Sequence, residues 1–428
     1  MPIRWGILAT GWIAQKFTKD LLVDPATRQV SDISHTVVAA ASSSSVDRAQ
    51  KFLTECGCPQ DAKAYGSYHE LVADPNVDII YVATPHSHHF QNVMLCLKAN
   101  RHVLCEKAFT VNAKQAELLY AEATQRKLFL MEAVWIRFFP LCRELRERVA
   151  AGEIGRVHRV FADLSFGDHP EEKFGNDHRM TNMNLAGGAM LDLGIYSLTW
   201  VFQFLYHIRG TSASTQSEVK GRPKVAASMS KFPGTGADEK TSIVLTFPGK
   251  DGADEAHGIA TTCLRTSFDP DEHGSAGPAI RIQGDKGELQ VFGPAFRPQR
   301  FRWIMTGKDE NLKEEKRDIP GHGMFWEADE CARCLRDGKT ESEIMSHEES
   351  IVIMETMDQV RKQNELAYPE LIESTTYDAN NELNTGKKPW LTIRLPCCAP
   401  PCGNARATAE HRPAYAHNSQ SSKLTAIS

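Results

Sequence analysis

The chain has 428 residues, enough for two to three domains around sizeable cores. Its composition, 41% hydrophobic and 24% charged, is ordinary for a globular protein. Basic and acidic residues nearly cancel, 49 − 54 = −5, which leaves no electrostatic case for nucleic acid or an anionic membrane as partner.

Met1 to Leu8 runs straight into a strand-like stretch, so no secretory leader is expected. No run of about 18 apolar residues reads as a membrane span. The eleven cysteines, most of them isolated among apolar neighbours (Cys96, Cys105, Cys142, Cys263), read as free thiols of a reducing compartment, the cytoplasm. Cys331 and Cys334 stand in a helical pattern without a second pair at zinc-site spacing, and Cys56-Gly57-Cys58 lacks partners, so no metal is expected there.

In chain order, Ile3 to Leu8 predicts a strand and Trp12 to Leu22 a helix. Thr36 to Ala41 follows as strand, Val46 to Glu55 as helix, Ile79 to Ala83 as strand and His89 to Ala99 as helix. Val103 to Cys105 and Leu128 to Ala133 are strands around the helix Ala113 to Arg126. This alternation predicts α/β architecture, a doubly wound parallel sheet of Rossmann type over residues 1–150. Beyond it, Arg156 to Phe166 alternates as a strand and Gly188 to Tyr206 forms a long apolar helix. Strand candidates follow at Thr211 to Val219, Val225 to Phe232, Thr241 to Phe247, His257 to Thr266, Ala279 to Gln283, Gly287 to Phe292 and Arg300 to Met305. Strands without intervening helices predict a large, mainly antiparallel open sheet in a second, α+β domain over 151–370. Helices Phe325 to Arg336 and His347 to Asn364 close it. Residues 371–428 read as an extension, disordered from about 395, where Pro, Ala, Ser, Asn and Thr dominate without periodicity.

Three stretches suit a nucleotide cofactor. Ala9-x-Gly11-x-x-Ala14 fits the dinucleotide fingerprint G-x-G-x-x-G/A without its first glycine, and Trp12 and Ile13 open a helix whose free N–H groups suit phosphate. The second strand ends in Ser42 to Ser45, with no acid before Asp47. Ser43, Ser44 and Arg48 therefore suit a 2′-phosphate, NADP rather than NAD, unless the segment is merely a turn beside a solvated arginine. Thr84-Pro85-His86-Ser87-His88-His89 follows a strand, which places Thr84, Pro85, His86 and His89 at the cofactor edge of the sheet, unless the segment is only a surface loop. A metal reading of the three histidines lacks spaced partners.

The strand Val103 to Cys105 ends in Glu106-Lys107, where the lysine is a positioned charge, a proton donor or only a salt bridge. Asp192 and Tyr196, spaced i and i+4, share one helix face. A phenol of pKa near 10 is a poor base, but an adjacent ammonium favours its phenolate. The alternative is a helix buried by Leu191, Ile195 and Leu198, with Tyr196 as a packed aromatic.

Taken in order, the turn, Thr84-Pro85-His86, Glu106-Lys107, Met131 to Pro140 and Gly187 to Tyr196 resemble the glucose–fructose oxidoreductase, inositol dehydrogenase and MocA (Gfo/Idh/MocA) family of oxidoreductases. The likeness spans about residues 1–370. It is nearest the branch of dimeric trans-dihydrodiol dehydrogenases and NADP-dependent D-xylose 1-dehydrogenases. The resemblance implies NADP, held in part by Glu106 and Lys107, and a small sugar or diol substrate. It further implies a homodimer built on the open sheet and catalysis by Lys107 and Tyr196, with Asp192 binding a substrate hydroxyl or holding Lys107. Trp135 would wall the substrate pocket, and Arg137 would contact cofactor or substrate. Ala9 departs from the usual first glycine, and Ala108 from the proline that commonly follows the lysine. A second reading is a cofactor-binding regulatory protein that keeps the fold without turnover.

Overall fold

Short apolar runs alternate with amphipathic helical periods in the first third of the chain, and the fold follows them. The computed structural model describes residues 2–208, 221–249, 254–307 and 314–385. Its first elements are β1 (Ile3–Leu8), α1 (Trp12–Leu21), β2 (His35–Ala41), α2 (Val46–Cys56), β3 (Lys63–Tyr65), α3 (Tyr68–Ala73), β4 (Ile79–Val82), α4 (His89–Lys98), β5 (His102–Glu106), α5 (Ala113–Arg126) and β6 (Leu130–Ala133). The strands form a parallel sheet in the order β3-β2-β1-β4-β5-β6. β4 and β6 are buried at every position, as expected of parallel strands covered on both faces. The chain reverses direction of winding between β1 and β4, so the carboxyl ends of β1, β4 and β5 border one crevice.

The second part opens with α6 (Pro140–Ala150), β7 (Val157–Ser165) and α7 (Pro170–Lys173). A continuous helix follows: a π-type turn (Met190–Gly194), α8 (Ile195–Phe202) and a second π-type turn (Gln203–His207). Next come β8 (Lys224–Lys231), β9 (Asp238–Phe247), β10 (Ala256–Cys263), β11 (Ile280–Gly284), β12 (Gly287–Phe292), β13 (Arg300–Met305) and β14 (Glu314–Lys316). These strands order as β14-β13-β12-β11-β7-β10-β9-β8, antiparallel except where β10 meets β7. Three α-helices follow, α9 (Phe325–Arg336), α10 (His347–Gln363) and α11 (Glu370–Glu373), and a 3-10 turn at Glu382–Thr385 ends the described chain. The strand expected at Thr211 to Val219 and the tail expected from about 395 lie outside the described residues.

The helical stretch Met183–His207 corrects one expectation. It is long and apolar enough to cross a membrane, yet its apolar window is 100% buried. It packs against β7 and β10 and is a core helix of the second sheet. Among the described residues nothing covers the opposite face of that sheet. There Ala226, Val244, Ile259 and Phe161 form a cross-strand row. Arg159 and Arg281 lie over the Phe161 ring at 4.9 and 5.9 Å.

Residues after 370 are not a free extension up to Thr385. Gln115 Nε2 donates to the carbonyls of Ile372 (2.8 Å) and Ser374 (2.9 Å), and Asn92 Nδ2 donates to that of Leu383 (2.9 Å). Leu383 is 1% exposed, so this strap seals α4 and α5. Truncation after Thr385 is expected to leave the thermal midpoint and activity unchanged, because the sequence beyond it has no periodicity or apolar face. Truncation after Ser374 lowers the midpoint, because it uncovers apolar surface and strands the buried Asn92 amide. Thermal melts of the two truncations check this.

Candidate active site

Ala9, where the fingerprint lacks its glycine, takes the left-handed conformation (φ 79°) that the motif's turn requires. Gly11 then caps α1 from an extended conformation and offers no side chain to the first-turn N–H groups. A Cβ built at Gly11 meets nothing within 4 Å, so those donors open onto free space beside the turn. Ala14, at 0% exposure, seats the helix on the sheet, with Trp12 and Ile13 half-buried at its start. The turn thus fits a pyrophosphate.

At the end of β2, Ser42 is buried and pairs with Ser44 (Oγ to Oγ 2.9 Å), while Ser45 accepts the Arg48 N–H at 3.2 Å and caps α2. Ser43 is half-buried and hydrogen-bonded to Tyr68, whereas Ser44 and Arg48 are exposed.

Thr84 and Pro85 leave β4, and His86 donates its Nδ1–H to the Ala186 carbonyl at 3.4 Å. Burial pushes the His86 pKa down to about 3, so its ring is neutral. His89 departs from its expected role. It is 0% exposed, and its ring nitrogens lie 2.8 Å from the Thr84 carbonyl and 3.0 Å from that of Ala108. It ties the loop after β4 to the loop after β5 and has nothing left for a cofactor. The histidines point to separate partners, and among the described residues no group of three His, Cys, Asp or Glu could hold a metal.

Glu106 ends β5 as a buried carboxyl that accepts from the Tyr81 hydroxyl and, at 3.3 Å, from the Lys107 N–H. Burial pushes its pKa up. The Lys107–Ala108 peptide is cis. Lys107 Nζ crosses to the second sheet's helix and donates to Asp192 Oδ1 and to the Asp192 carbonyl, both at 2.8 Å. Asp192 lies in the π-type turn, a winding often found at functional sites. Arg179, from the loop after α7, holds the same carboxylate, Nη1 to Oδ1 at 3.1 Å and Nη2 to Oδ2 at 3.3 Å. Burial pushes the Asp192 pKa up, but Arg179 and Lys107 outweigh it and hold the group far below the usual carboxylate range.

The start of this helix depends on Gly188. Its φ is 141°, and a Cβ there would stand 1.9 Å from Asp238 Oδ1. Asp238, from β9, accepts the Met190 N–H at 2.6 Å and so fixes the turn that carries Asp192.

Tyr196, 7% exposed, accepts the Trp135 Nε1–H at 2.8 Å on its hydroxyl oxygen. Lys107 Nζ lies 4.9 Å from the centre of the Tyr196 ring. The ammonium expected to favour the Tyr196 phenolate is thus beside the ring, and other groups act against it. Burial, followed by Glu106 and Asp192, pushes the phenol well above its ordinary pKa, while Lys107 also pairs with Asp192. Arg137 is corrected. Its side chain is 0% exposed and forms an ion pair with Glu349, with a further hydrogen bond to the Ile344 carbonyl. It locks the turn after β6 onto α10 and turns away from the crevice.

Trp135 builds an aromatic wall. Phe296 stacks on it at 6.3 Å and lies 6.1 Å from Tyr196, and His322 also stacks on it at 4.9 Å. The sequence reading missed Arg179, Phe296 and His322. Each stands in a loop without periodicity, and no local pattern marks it.

Comparison with known proteins shows the chain's relatives. Residues 3–134 match the family model described as an oxidoreductase family with an NAD-binding Rossmann fold, and residues 142–290 match the GFO/IDH/MocA C-terminal domain. The chain is 53% identical over 396 residues to the D-xylose 1-dehydrogenase (NADP(+)) of Hypocrea jecorina, covering 90% of this chain and 98% of that protein. It is 34% identical over 370 residues to the trans-1,2-dihydrobenzene-1,2-diol dehydrogenase of Mus musculus, covering 86% and 99%. Among solved structures, the aldose-aldose oxidoreductase of Caulobacter crescentus complexed with glycerol aligns with TM-score 0.65 at 21% identity, over 85% of this chain and 97% of that one. That likeness is one of fold.

Proposed function

The chain belongs to the Gfo/Idh/MocA oxidoreductase family, and on that footing we propose that it is an NADP-dependent dehydrogenase oxidising D-xylose at C1 to D-xylonolactone. The observation that carries this reading is the Lys107–Asp192–Tyr196 cluster, which joins the end of β5 to the helix of the second sheet at the mouth of the nucleotide crevice. The 53% identity to a D-xylose 1-dehydrogenase over nearly its whole length supports the substrate. Residues 1–150 would bind the dinucleotide and 151–370 the sugar, with 371–428 an extension.

Gly11, Trp12, Ile13 and Ala14 would hold the pyrophosphate, and Ser43, Ser44 and Arg48 the 2′-phosphate. Thr84, Pro85, His86, Glu106 and Lys107 would border the nicotinamide ribose. Bound there, the nicotinamide supplies the acceptor for the C1 hydride. Tyr196 takes the proton from the C1 hydroxyl once its own phenol has ionised, and the Trp135 N–H and the Lys107 ammonium stabilise the resulting phenolate. Asp192 and Arg179 set where the ammonium stands. Trp135 and Phe296 wall off water.

The same flat wall favours a second substrate reading, a trans-dihydrodiol whose ring carbinol is oxidised to a ketone that tautomerises to a catechol. A panel of D-xylose, other aldoses and a trans-dihydrodiol with NADP tests both. We expect kcat/KM for D-xylose to exceed that for the diol by roughly tenfold or more. NADPH binding without turnover of any of them would instead fit a regulatory protein.

NADP is preferred over NAD because a serine run ends β2 where an NAD site carries an acid. Ser43→Asp places a carboxylate beside the 2′-phosphate and shifts the kcat/KM ratio toward NAD. A wild type that prefers NAD sinks this assignment.

We further propose a cytoplasmic homodimer, the buried free thiols suiting a reducing compartment. The uncovered sheet face, with its row Ala226, Val244, Ile259 and Phe161, is the surface for a second copy. Sedimentation equilibrium at micromolar protein gives twice 47.7 kDa on this reading, and a single species at 47.7 kDa rules it out.

A further inference from the structure

The segment just before α9 is held on both backbone edges. Asp20, on α1, accepts the N–H groups of His322 (2.9 Å), Gly323 (2.7 Å) and Met324 (2.7 Å). Arg297, after β12, donates to the carbonyls of His322 (3.0 Å), Gly321 (2.9 Å) and Ile319 (3.5 Å). Gly323 completes the turn with φ 106°, where a Cβ would press to 3.0 Å from the Phe139 ring. A clamp of this kind fixes the direction of the one side chain it presents, His322.

That imidazole stacks on Trp135 at 4.9 Å and meets the edge of Trp12 at 6.1 Å. Trp12 opens the helix of the nucleotide turn, and Trp135 holds the Tyr196 hydroxyl. The ring therefore borders the space between the nucleotide turn and the reacting phenol. It is only partly buried, and among the described residues neither ring nitrogen has a hydrogen-bond partner. A wall alone would be served by a phenyl ring, so the polar edge is what requires an explanation.

We propose that His322 is a specificity-determining residue that binds a hydroxyl of a polyhydroxylated substrate away from the reacting carbon. The inference rests on the sugar-dehydrogenase reading above. Burial, then Arg297 and Lys16, push the His322 pKa down to about 4, so the ring is neutral at working pH. A neutral imidazole carries one donor and one acceptor, as a sugar hydroxyl does. A phosphate would instead call for imidazolium, which this setting disfavours. A hydrogen-bonding site left unpaired discriminates against analogues that lack the hydroxyl.

His322→Phe keeps the stack on Trp135 and removes both nitrogens. The expected result is a KM for D-xylose raised about tenfold, the scale of one such hydrogen bond. The kcat should change by less than about twofold, and the Kd for NADPH should not move. The wild type should penalise one of the 2-, 3- and 4-deoxy analogues of D-xylose, and the variant should not, which locates the hydroxyl as in a double-mutant cycle. His322→Gln, with a donor and an acceptor of its own, should recover part of the lost affinity. If the phenylalanine variant does not fold, His322→Ala carries the deoxy comparison, since each ratio is internal to one variant. An unchanged KM, a deoxy penalty equal in wild type and variant, or an NADPH Kd weakened by the same factor as KM overturns the proposal. A wild type inert toward D-xylose and other aldoses overturns the dehydrogenase reading and this with it. An active wild type with an indifferent His322→Phe overturns this one alone.

Discussion

Tyr196→Phe lowers kcat for D-xylose oxidation by about 10²–10⁴-fold, and Lys107→Ala does the same, while NADPH affinity stays within a few-fold of wild type. The phenylalanine keeps the ring that packs between Lys107 and Phe296 and removes only the oxygen that Trp135 holds. Its effect therefore isolates proton transfer from packing. Lys107→Ala removes the cation over the ring and leaves Asp192 with Arg179 alone. Near-wild-type kcat in Tyr196→Phe, measured by NADPH formation under saturating sugar, would show that the proton leaves by another group.

The pH profile carries the same assignment. Burial, Glu106 and Asp192 push the Tyr196 phenol well above its ordinary value, so the base form is scarce at neutral pH. Oxidation should therefore accelerate as pH rises through the alkaline range. Reduction of the lactone uses the phenol as donor and should be nearly flat across neutrality. Tyr196→Phe should flatten the oxidative profile as well as lower it.

Much of this site is legible in the residues, and the reasons for the gaps are physical. β4 reads as a strand because a parallel strand covered on both faces is an unbroken apolar run, and in β6 that run is interrupted only by the buried Glu132. β3 and β14, of three residues each, are too short to show an alternation. α6 hides its apolar stripe in the charged run Arg143 to Arg148. Lys107, Asp192, Tyr196 and Trp135 stand in recognisable motifs, and the fold brings them together. The pairings among them depend on distance in space. Arg137 follows Trp135 by two residues, yet the intervening turn buries it against Glu349, 212 positions on. Nothing local to either residue announces that pair. Arg179 and His322 depend in the same way on Asp192 and on the Asp20–Arg297 clamp.

Asp192→Asn is expected to damage stability and turnover together, through the two cations it leaves behind. The Lys107 and Asp192 side chains are 12% and 8% exposed, so removal of the carboxylate charge leaves an ammonium with little solvent to replace it. Breaking a buried pair from one side is worth about 3–5 kcal/mol; Arg179, 32% exposed, recovers part of its solvation, which points to the low end, about 3 kcal/mol. The thermal midpoint should fall by several degrees. With Lys107 no longer anchored over the Tyr196 ring, kcat/KM should fall about 10²-fold. Because the carboxyl is held below its ordinary value, its linked stability is fully present above about pH 4 and lost as pH falls further. The midpoint gap between wild type and Asp192→Asn should therefore be wide at pH 7 and narrow under acid. Adding Arg179→Gln to Asp192→Asn removes one of the unpaired cations, so it should restore more of the midpoint than of the activity. If Asp192→Asn melts with the wild type at pH 7, the carboxylate is not what holds the two cations together. If it also keeps full kcat/KM, Lys107 finds its place over Tyr196 without it.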